Sequence, residues 1–554
     1  MSHLKGKDRN QLQFLPPTLD EYVDENNPVR VIDAFVDTLD LKSLGFQKAE
    51  PAFTGRPAYD PSDLLKLYIY GYMNKIRSSR RLMTECRRNI ELFFLLGELK
   101  PDFRTISDFR KDNPEPIREV FREFVNLCEE FGLYKKQLVA IDGTKVRAQN
   151  SADKCYNKDI LQKKLARIDA HIEDYIGALK KNDESGSDDD KEDDRRVDLD
   201  EIKTTLARLA ERREKYVGYL LHLENSTDTQ VLETDPESHR MHTRNGFHCC
   251  YNIQTAIDTG SHLICEYEVT GKGNDMGQLT GIAKSTKKIL KANRLEVVAD
   301  KGYDSGKDIL SSVMEGIIPT VAMTYDKEER VFNIDYEYAN ITEKIKHSIK
   351  AEDISKCLHA GVMPTCLEGG PLSIEVQEKS GIACFTKVDE SSVLCPMNKI
   401  LKKTKRRNGR QTIFKSREAC RSCDNRCTAS SNPKEVSFSD GAVHVPVRMY
   451  GTKKVTNPLP DDAVIHHNSR ALARKWAEAK VLIKIKDDKG KIHERMCTAE
   501  HPFGSVKWYG DAGYVLCRGK RKVSAEIGLS FLGYNIKRAI NMIGTEQMLK
   551  MMGA

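Results

Sequence analysis

Three acidic residues carry the strongest chemical signal in this chain: Asp142 in LVAIDGTKV, Asp300 in LEVVADKGYDS and Glu500 in TAEHPFGSVK. The first two each close a short run of Val, Ile and Leu, which predicts a buried strand with an acid at its carboxyl end. Open α/β sheets place their sites in the crevice beyond such ends. Glu500 falls near an expected helix start, with Thr498 as candidate N-cap and Pro502 in the first turn, where its missing N–H costs nothing. Lys507, seven residues further on, is then expected on the same helical face, placed to hold a phosphate. Three carboxylates converging from separate elements form the donor set that a pair of divalent cations needs for in-line attack at phosphorus. Each acid alone also fits an ordinary turn or first-turn helix residue; the joint contexts favour the site. No Ser, Cys or His arrangement competes as a nucleophile, and no Gly-rich phosphate loop occurs.

The thiols form a second constellation. Cys420, Cys423 and Cys427 follow a C-x2-C-x3-C spacing, and Cys395, just before Pro396, is preferred to Cys384 as a fourth ligand. That spacing predicts a closed, structural Zn2+ site stapling a loop-rich insertion, with reduced unliganded thiols as the plain alternative. Between these cysteines lies LKKTKRRNGR, the densest basic run, in which Lys402, Lys403, Arg406 and Arg407 are expected to clamp a DNA backbone. A second basic segment, IRSSRRLMTECRR, carries Arg77, Arg80, Arg81, Arg87 and Arg88. Fixed arginines at this density favour phosphate over a small neutral ligand, against the alternative of a solvated helix face.

The elements that must position these groups can be read from periodicity. Asp60 and Pro61 mark a helix start, and Leu64, Leu65, Tyr68, Tyr72 and Ile76 recur at helical spacing; Thr105 marks another start. Residues 1–135 therefore read as a helical domain for DNA binding, dimerisation or both. FHCCYNIQTAID and HLICEYEVT flank a Gly-containing turn and predict a β-hairpin, followed by a helix, the strand ending at Asp300, a further helix and the short strand IIPTVAM. The order predicts a mixed α/β sheet over 136–325. It is interrupted at 151–240, where Leu161, Leu165, Ile168, Ile172, Tyr175 and Leu179, then Leu199, Ile202, Leu206, Leu209, Tyr216 and Leu220, suggest an antiparallel coiled coil joined by the acidic DESGSDDDKEDD. A Cys-rich insertion is expected over 326–470, and the final part of the sheet domain with C-terminal helices over 471–554.

Composition bounds the class. At 554 residues the chain exceeds one core, and a formal charge of +7 is modest for its length. Fifteen cysteines without a secretory-signal pattern point to a reducing, cytoplasmic compartment. No apolar run approaches the roughly 20 residues of a membrane span.

At these residues the chain resembles the insertion-sequence transposases of the DDE class that join an InsH-like helical N-terminal domain to an RNase H-like catalytic core. PAYDPSDLLKLYIYGYMNKIRSSRRL and PDFRTISDFRKDN resemble the N-terminal module; IDGTKVRAQNS, YNIQTAID and ADKGYDS resemble the start of the core, and RMCTAEHPFGSVKW with SFLGYNIKRAI its end. The blocks stand in the family's order and cover most of the chain. The resemblance implies that Asp142, Asp300 and Glu500 hold two Mg2+ or Mn2+ ions, that Lys507 matches the lysine after the glutamate, and that Arg495 reaches phosphate. Where related families carry a tyrosine before that arginine, Ile492 stands here, and Arg495 is one residue further from the glutamate than the family arginine. It further implies cleavage and strand transfer of double-stranded DNA at inverted-repeat ends by a dimer or larger synaptic complex. A catalytically silent DNA-binding descendant, or another RNase H-like nuclease, is the alternative.

Overall fold

A computed structural model describes residues 18–554 apart from 52, 55–56, 137, 186–198, 244, 324–328, 336–371, 378–382, 406–411, 440, 448, 451–454, 461–462, 464–479, 487 and 511. The described residues begin with the helices α1 (Pro28–Asp37), α2 (Pro61–Met73), α3 (Ser79–Glu85), α4 (Ile90–Leu96), α5 (Phe103–Asp112) and α6 (Pro114–Glu130), preceded by a short 3-10 turn at Asp20–Tyr22. Asp60 caps α2 as expected, its side chain accepting from Ser62 N, with Pro61 in the first turn. Helix α5 is capped by Asp102, which accepts from Arg104 N and Thr105 N. Thr105 was the expected start; a carboxylate three residues earlier satisfies two of the free amides, so the helix begins there.

Strand β1 (Val139–Arg147) is followed by β2 (Cys155–Tyr156), the long helices α7 (Lys158–Ser185) and α8 (Leu199–Asn225), and β3 (Val231–Leu232). The two helices run antiparallel: Asp169 pairs with Arg213, and Lys164 lies over the Tyr216 ring. Leu161, Ile168, Tyr216 and Leu223 bury themselves in the seam. The short β2–β3 pair closes its base.

Next come β4 (His239–Thr243), β5 (Gly246–Asp258), β6 (Ile264–Thr270), α9 (Leu279–Ile289), β7 (Leu295–Ala299), α10 (Gly306–Met314) and β8 (Ile317–Val321). They build one mixed sheet in the order β4-β5-β1-β7-β8, with β6 also on β5. β1 runs antiparallel to β5 and parallel to β7, and β7 is parallel to β8. In the β5–β6 turn, Asp258 accepts from the amide and hydroxyl of Ser261, which fixes the register.

The remainder holds β9 (Glu329–Asp335), β10 (Leu372–Gln377), β11 (Cys384–Lys387), β12 (Ser392–Leu394), β13 (Ile400–Lys405), β14 (Thr412–Lys415), α11 (Arg417–Arg421), β15 (His444–Pro446), β16 (Lys480–Lys486), α12 (Lys489–Gly504), α13 (Lys520–Ile543) and α14 (Thr545–Met552). Strands β11 to β15 form their own antiparallel sheet over a small core of Phe385, Val393, Leu401 and Phe414. β16 pairs with both β9 and β10, so the chain returns from that sheet to where it left and delivers α12 onto β1 and β7.

Helix α13 is buried on every side from Val523 to Ile536, the pattern of a helix enclosed by protein. It packs on α2 and α6 on one side and on β6 on the other, so one continuous hydrophobic core runs from the N-terminal helices into the sheet. No helix among the described residues is long and apolar enough to cross a membrane.

Candidate active site

Asp142 lies within β1, not at its end, which corrects the expected placement. The parallel pairing of β1 with β7 stops at Ile141 opposite Ala299, while β1 continues along β5 as far as Arg147 opposite Cys250. Asp142 and Asp300 are therefore the next residues on two neighbouring strands where their ladder ends. The ladder between the two strands ends at that point because β7 stops, although β1 does not.

Asp300 caps a short 3-10 turn, its Oδ1 accepting from Gly302 N at 2.8 Å. Asp142 Oδ1 accepts from Gly143 N at 2.8 Å, and its Oδ2 pairs with Arg495 Nη1 at 3.0 Å. Burial pushes the Asp142 carboxyl up to about 6; Arg495 opposes the shift, and the charges of Asp300 and Asp275 add to it.

Asp275 is the acid that sequence reasoning missed. Its Oδ1 accepts from Asn252 Nδ2 at 2.8 Å and Gln254 Nε2 at 2.7 Å, and Tyr303 OH donates to Gln254 Oε1. A Cβ at Gly143 would stand 2.3 Å from Asp275 Oδ1, and one at Gly302 would meet Asp300 Oδ1 at 2.9 Å and Asp275 Oδ2 at 3.4 Å. Both glycines thus mark where the backbone must leave room for carboxylates. The signal was present: Asn252 and Gln254 are buried amides two residues apart on β5, hence on one face of a strand. Buried amides need partners, and Asp275 is theirs.

Glu500 stands on the helix that also carries Arg495. Helix α12 starts at Lys489, capped by Asp488, whose Oδ1 accepts from Lys491 N; Thr498 is not its N-cap and Pro502 sits in its last turn. The Thr498 hydroxyl instead bonds back to Glu494 O. Pro502 has no N–H to offer the Thr498 carbonyl. Arg495 points at Asp142, whereas Glu500, five residues on and roughly 140° further round the helix, is exposed. The helix gives way to a π turn at Ser505–Tyr509, so Lys507 does not keep the helical register expected from Glu500. Its Nζ donates to Lys145 O on β1 at 2.8 Å.

The predicted basic residues separate. Arg77 is only 5 % exposed and pairs with Glu526, itself 1 % exposed, at 2.7 Å, lying over the Tyr514 ring. It ties the N-terminal helices to α13 and is withdrawn from any DNA-facing set. Arg80 and Arg81 are exposed on α3, and Lys402 and Lys403 are exposed on β13. Arg406 and Arg407 lie outside the described residues.

Cys395, Cys420, Cys423 and Cys427 do line one cavity of about 20 Å³, while Cys384 faces the Asn457 carbonyl instead. The amides of Met397 and Lys399 donate to Cys395 Sγ at 3.4 and 3.3 Å. The expected zinc is nevertheless not supported: among the described residues, no three or more His, Cys, Asp or Glu side chains are arranged to hold a metal ion. Phe385, Leu401 and Met449 make the cavity wall apolar, and burial pushes Cys395 up and Cys427 up to about 12, which favours neutral thiols. The acids as they stand fall under the same finding, with Asp142 turned to Arg495 and Asp275 to its amides.

The transposase DDE domain model matches residues 225–536, more than half of the chain, and a transposase domain model (DUF772) matches residues 17–112. No curated protein matches. Among solved structures, a piggyBac transposase synaptic complex with hairpin DNA aligns over 95% of this chain and 79% of that one at 8% identity, with a TM-score of 0.29. That score is too low to carry any structural argument.

Proposed function

The chain belongs to the transposase DDE-domain family, with the DUF772-type module at its N-terminus, and on that premise we propose that it cleaves double-stranded DNA at the inverted-repeat ends of an insertion sequence and joins those ends to target DNA. The observation that carries the proposal is the adjacency of Asp142 and Asp300 where the β1–β7 ladder ends, with Asp275 beside both. All three offer hard carboxylate oxygens, the donor set suited to Mg2+ or Mn2+. Two such ions, when bound, supply Lewis-acid polarisation of the phosphodiester. Asp142 and Asp300 hold them in this reading, with Glu500 as third ligand by resemblance and Asp275 as the acid that already stands at the site.

The surrounding residues have definite tasks. Arg495 neutralises the buried Asp142 carboxylate while no cation is there. Gln254 and Asn252 fix Asp275, and Tyr303 fixes Gln254. Lys507, anchored on β1, sets positive charge on the DNA side of the acids. Arg80, Arg81, Lys402 and Lys403, with Arg406 and Arg407, track the phosphate backbone and position the duplex without reading its sequence. Two ends must be processed together, so the working form is a homodimer or larger synapse in the prokaryotic cytoplasm, associated with the nucleoid.

The test is incubation of the full chain with Mg2+ and a duplex carrying the element's terminal inverted repeats. Nicking at the repeat boundary followed by joining to a second duplex is expected. Binding without any cleavage would leave the silent DNA-binding alternative, and cleavage indifferent to the repeats would leave a general nuclease.

A further inference from the structure

A cavity of about 360 Å³ opens between the end of α2, the end of α12 with its π turn, and α13. Lys75, His501, Lys537 and Arg538 line it, and among the described residues that line it none is acidic. Its apolar wall is formed by Tyr72, Met73 and Val506, and its volume is that of a site for a nucleotide-sized group. The cations are held in place by backbone: Lys537 Nζ donates to Met73 O, and Arg538 Nε donates to Ser261 O at 2.8 Å. His501 Nδ1 meets Tyr534 OH at 3.0 Å. Lost hydration first, and the charge of Lys75 second, push the Lys537 ammonium below its ordinary pKa.

Positive charge gathered along a cavity whose described lining holds no carboxylate favours an anion. The backbone here is also irregular, since Ser505, Val506 and Gly510 belong to the π turn or its cap, and such one-turn π segments recur at functional positions. His501 directly follows Glu500, and the same helix carries Arg495 to Asp142. A strand whose phosphate sat in this cavity would lie one helix away from the acids.

We infer that the cavity between α2, α12 and α13 holds a phosphate group of the DNA strand being processed. The inference rests on the DNA reading above. It assigns Lys75, Lys537 and Arg538 to one strand phosphate and His501 with Tyr534 to its rim.

The experiment measures fluorescence anisotropy of a labelled end duplex with the full chain across a salt series, for the parent, the double variant Lys75→Gln/Lys537→Gln, Lys537→Arg, and Lys284→Gln as a distant surface control. The double variant should bind about tenfold more weakly at low salt, with a log–log salt slope shallower by up to about 0.9, the share of one phosphate. Lys537→Arg and the control should match the parent. A double variant with parental affinity and slope would overturn the inference while leaving the proposed function standing. If the double variant melts early, the exposed single change Lys75→Gln carries the test, with half the change in slope. Titration with pyrophosphate separates the sources of phosphate. Competition with the duplex in the parent, lost in the double variant, supports the strand-phosphate site. Pyrophosphate binding that the duplex does not contest would assign the cavity to a free phosphate compound and overturn the inference. A parent that binds pyrophosphate but no duplex would sink the DNA reading itself.

Discussion

Arg495 Nη1 lies 3.0 Å from Asp142 Oδ2, an ion pair between residues more than 350 positions apart that closes the α12 helix onto β1. Among the described residues the buried Arg495 Nε has no hydrogen-bond partner. The guanidinium charge first, and the Gly143 amide after it, oppose the burial that raises the Asp142 carboxyl to about 6. Replacing it by Met should move the Asp142 titration above 6, read by NMR of carboxyl-labelled protein. A titration that stays put or falls would show that Arg495 is not the counter-charge.

The raised Asp142 pKa sets a pH dependence of stability. Between the ordinary 3.8 and about 6 the folded chain keeps a proton that the unfolded chain has lost. The group's contribution is therefore fully present below 3.8 and disappears as pH rises through 6. Its size is on the order of 3 kcal/mol, since the side chain is only 20 % exposed. Relative to Asp142→Asn, the parent should lose stability between about pH 4 and about pH 7 in denaturant titrations, by up to that amount. Parallel pH curves for the two proteins would contradict the shift.

Asp275 should matter to metal affinity without being needed for folding. Asp275→Asn keeps the shape that Asn252 and Gln254 grip but removes the charge, and should weaken Mn2+ binding by about 10- to 100-fold in calorimetry. Gly143→Ala, whose Cβ would fall 2.3 Å from Asp275 Oδ1, should do the same by displacement. The comparison with Glu500→Gln separates the two acids: full Mn2+ affinity in Asp275→Asn with loss in Glu500→Gln would leave Glu500 as third ligand and Asp275 without a part in metal binding.

Arg77→Met should lower stability by about 3–5 kcal/mol, because it leaves the buried Glu526 without its guanidinium. Two amides, of Leu516 and Cys517, would still reach that carboxylate. At temperatures where the variant remains folded, the salt slope of DNA binding should be parental. A flattened slope would restore Arg77 to the DNA path.

Much of this was legible in the sequence because local chemistry decides it. The Asp60-Pro61 cap, the hairpin around Asp258 and the apolar runs before Asp142 and Asp300 each dictate their own structure. The helical spacing of α7 and α8 likewise specifies the seam they bury. What escaped depends on partners remote in sequence. Asp142 looked like a strand end because its neighbours on β1 turn polar, yet β5 carries that strand on to Arg147. Arg77 looked like a DNA contact until Glu526 appeared beside it. Asp275 sat in a Gly-Asn-Asp stretch that reads as a loop, and only the amides of β5 identify it. The cysteine spacing correctly brought four thiols to one cavity, but an apolar wall around them does not make a metal site. For α12, Pro502 suggested a first turn; the helix begins at Lys489 and carries Pro502 in its last turn.

The central claim is that Asp142 and Asp300 perform the phosphodiester chemistry. Its most direct test is cleavage of an end-bearing duplex in Mg2+ by the parent, Asp142→Asn and Asp300→Asn, with duplex affinity measured alongside. The account predicts that each variant binds the duplex as the parent does and cuts none of it. Cleavage at the parental rate by either variant would contradict it.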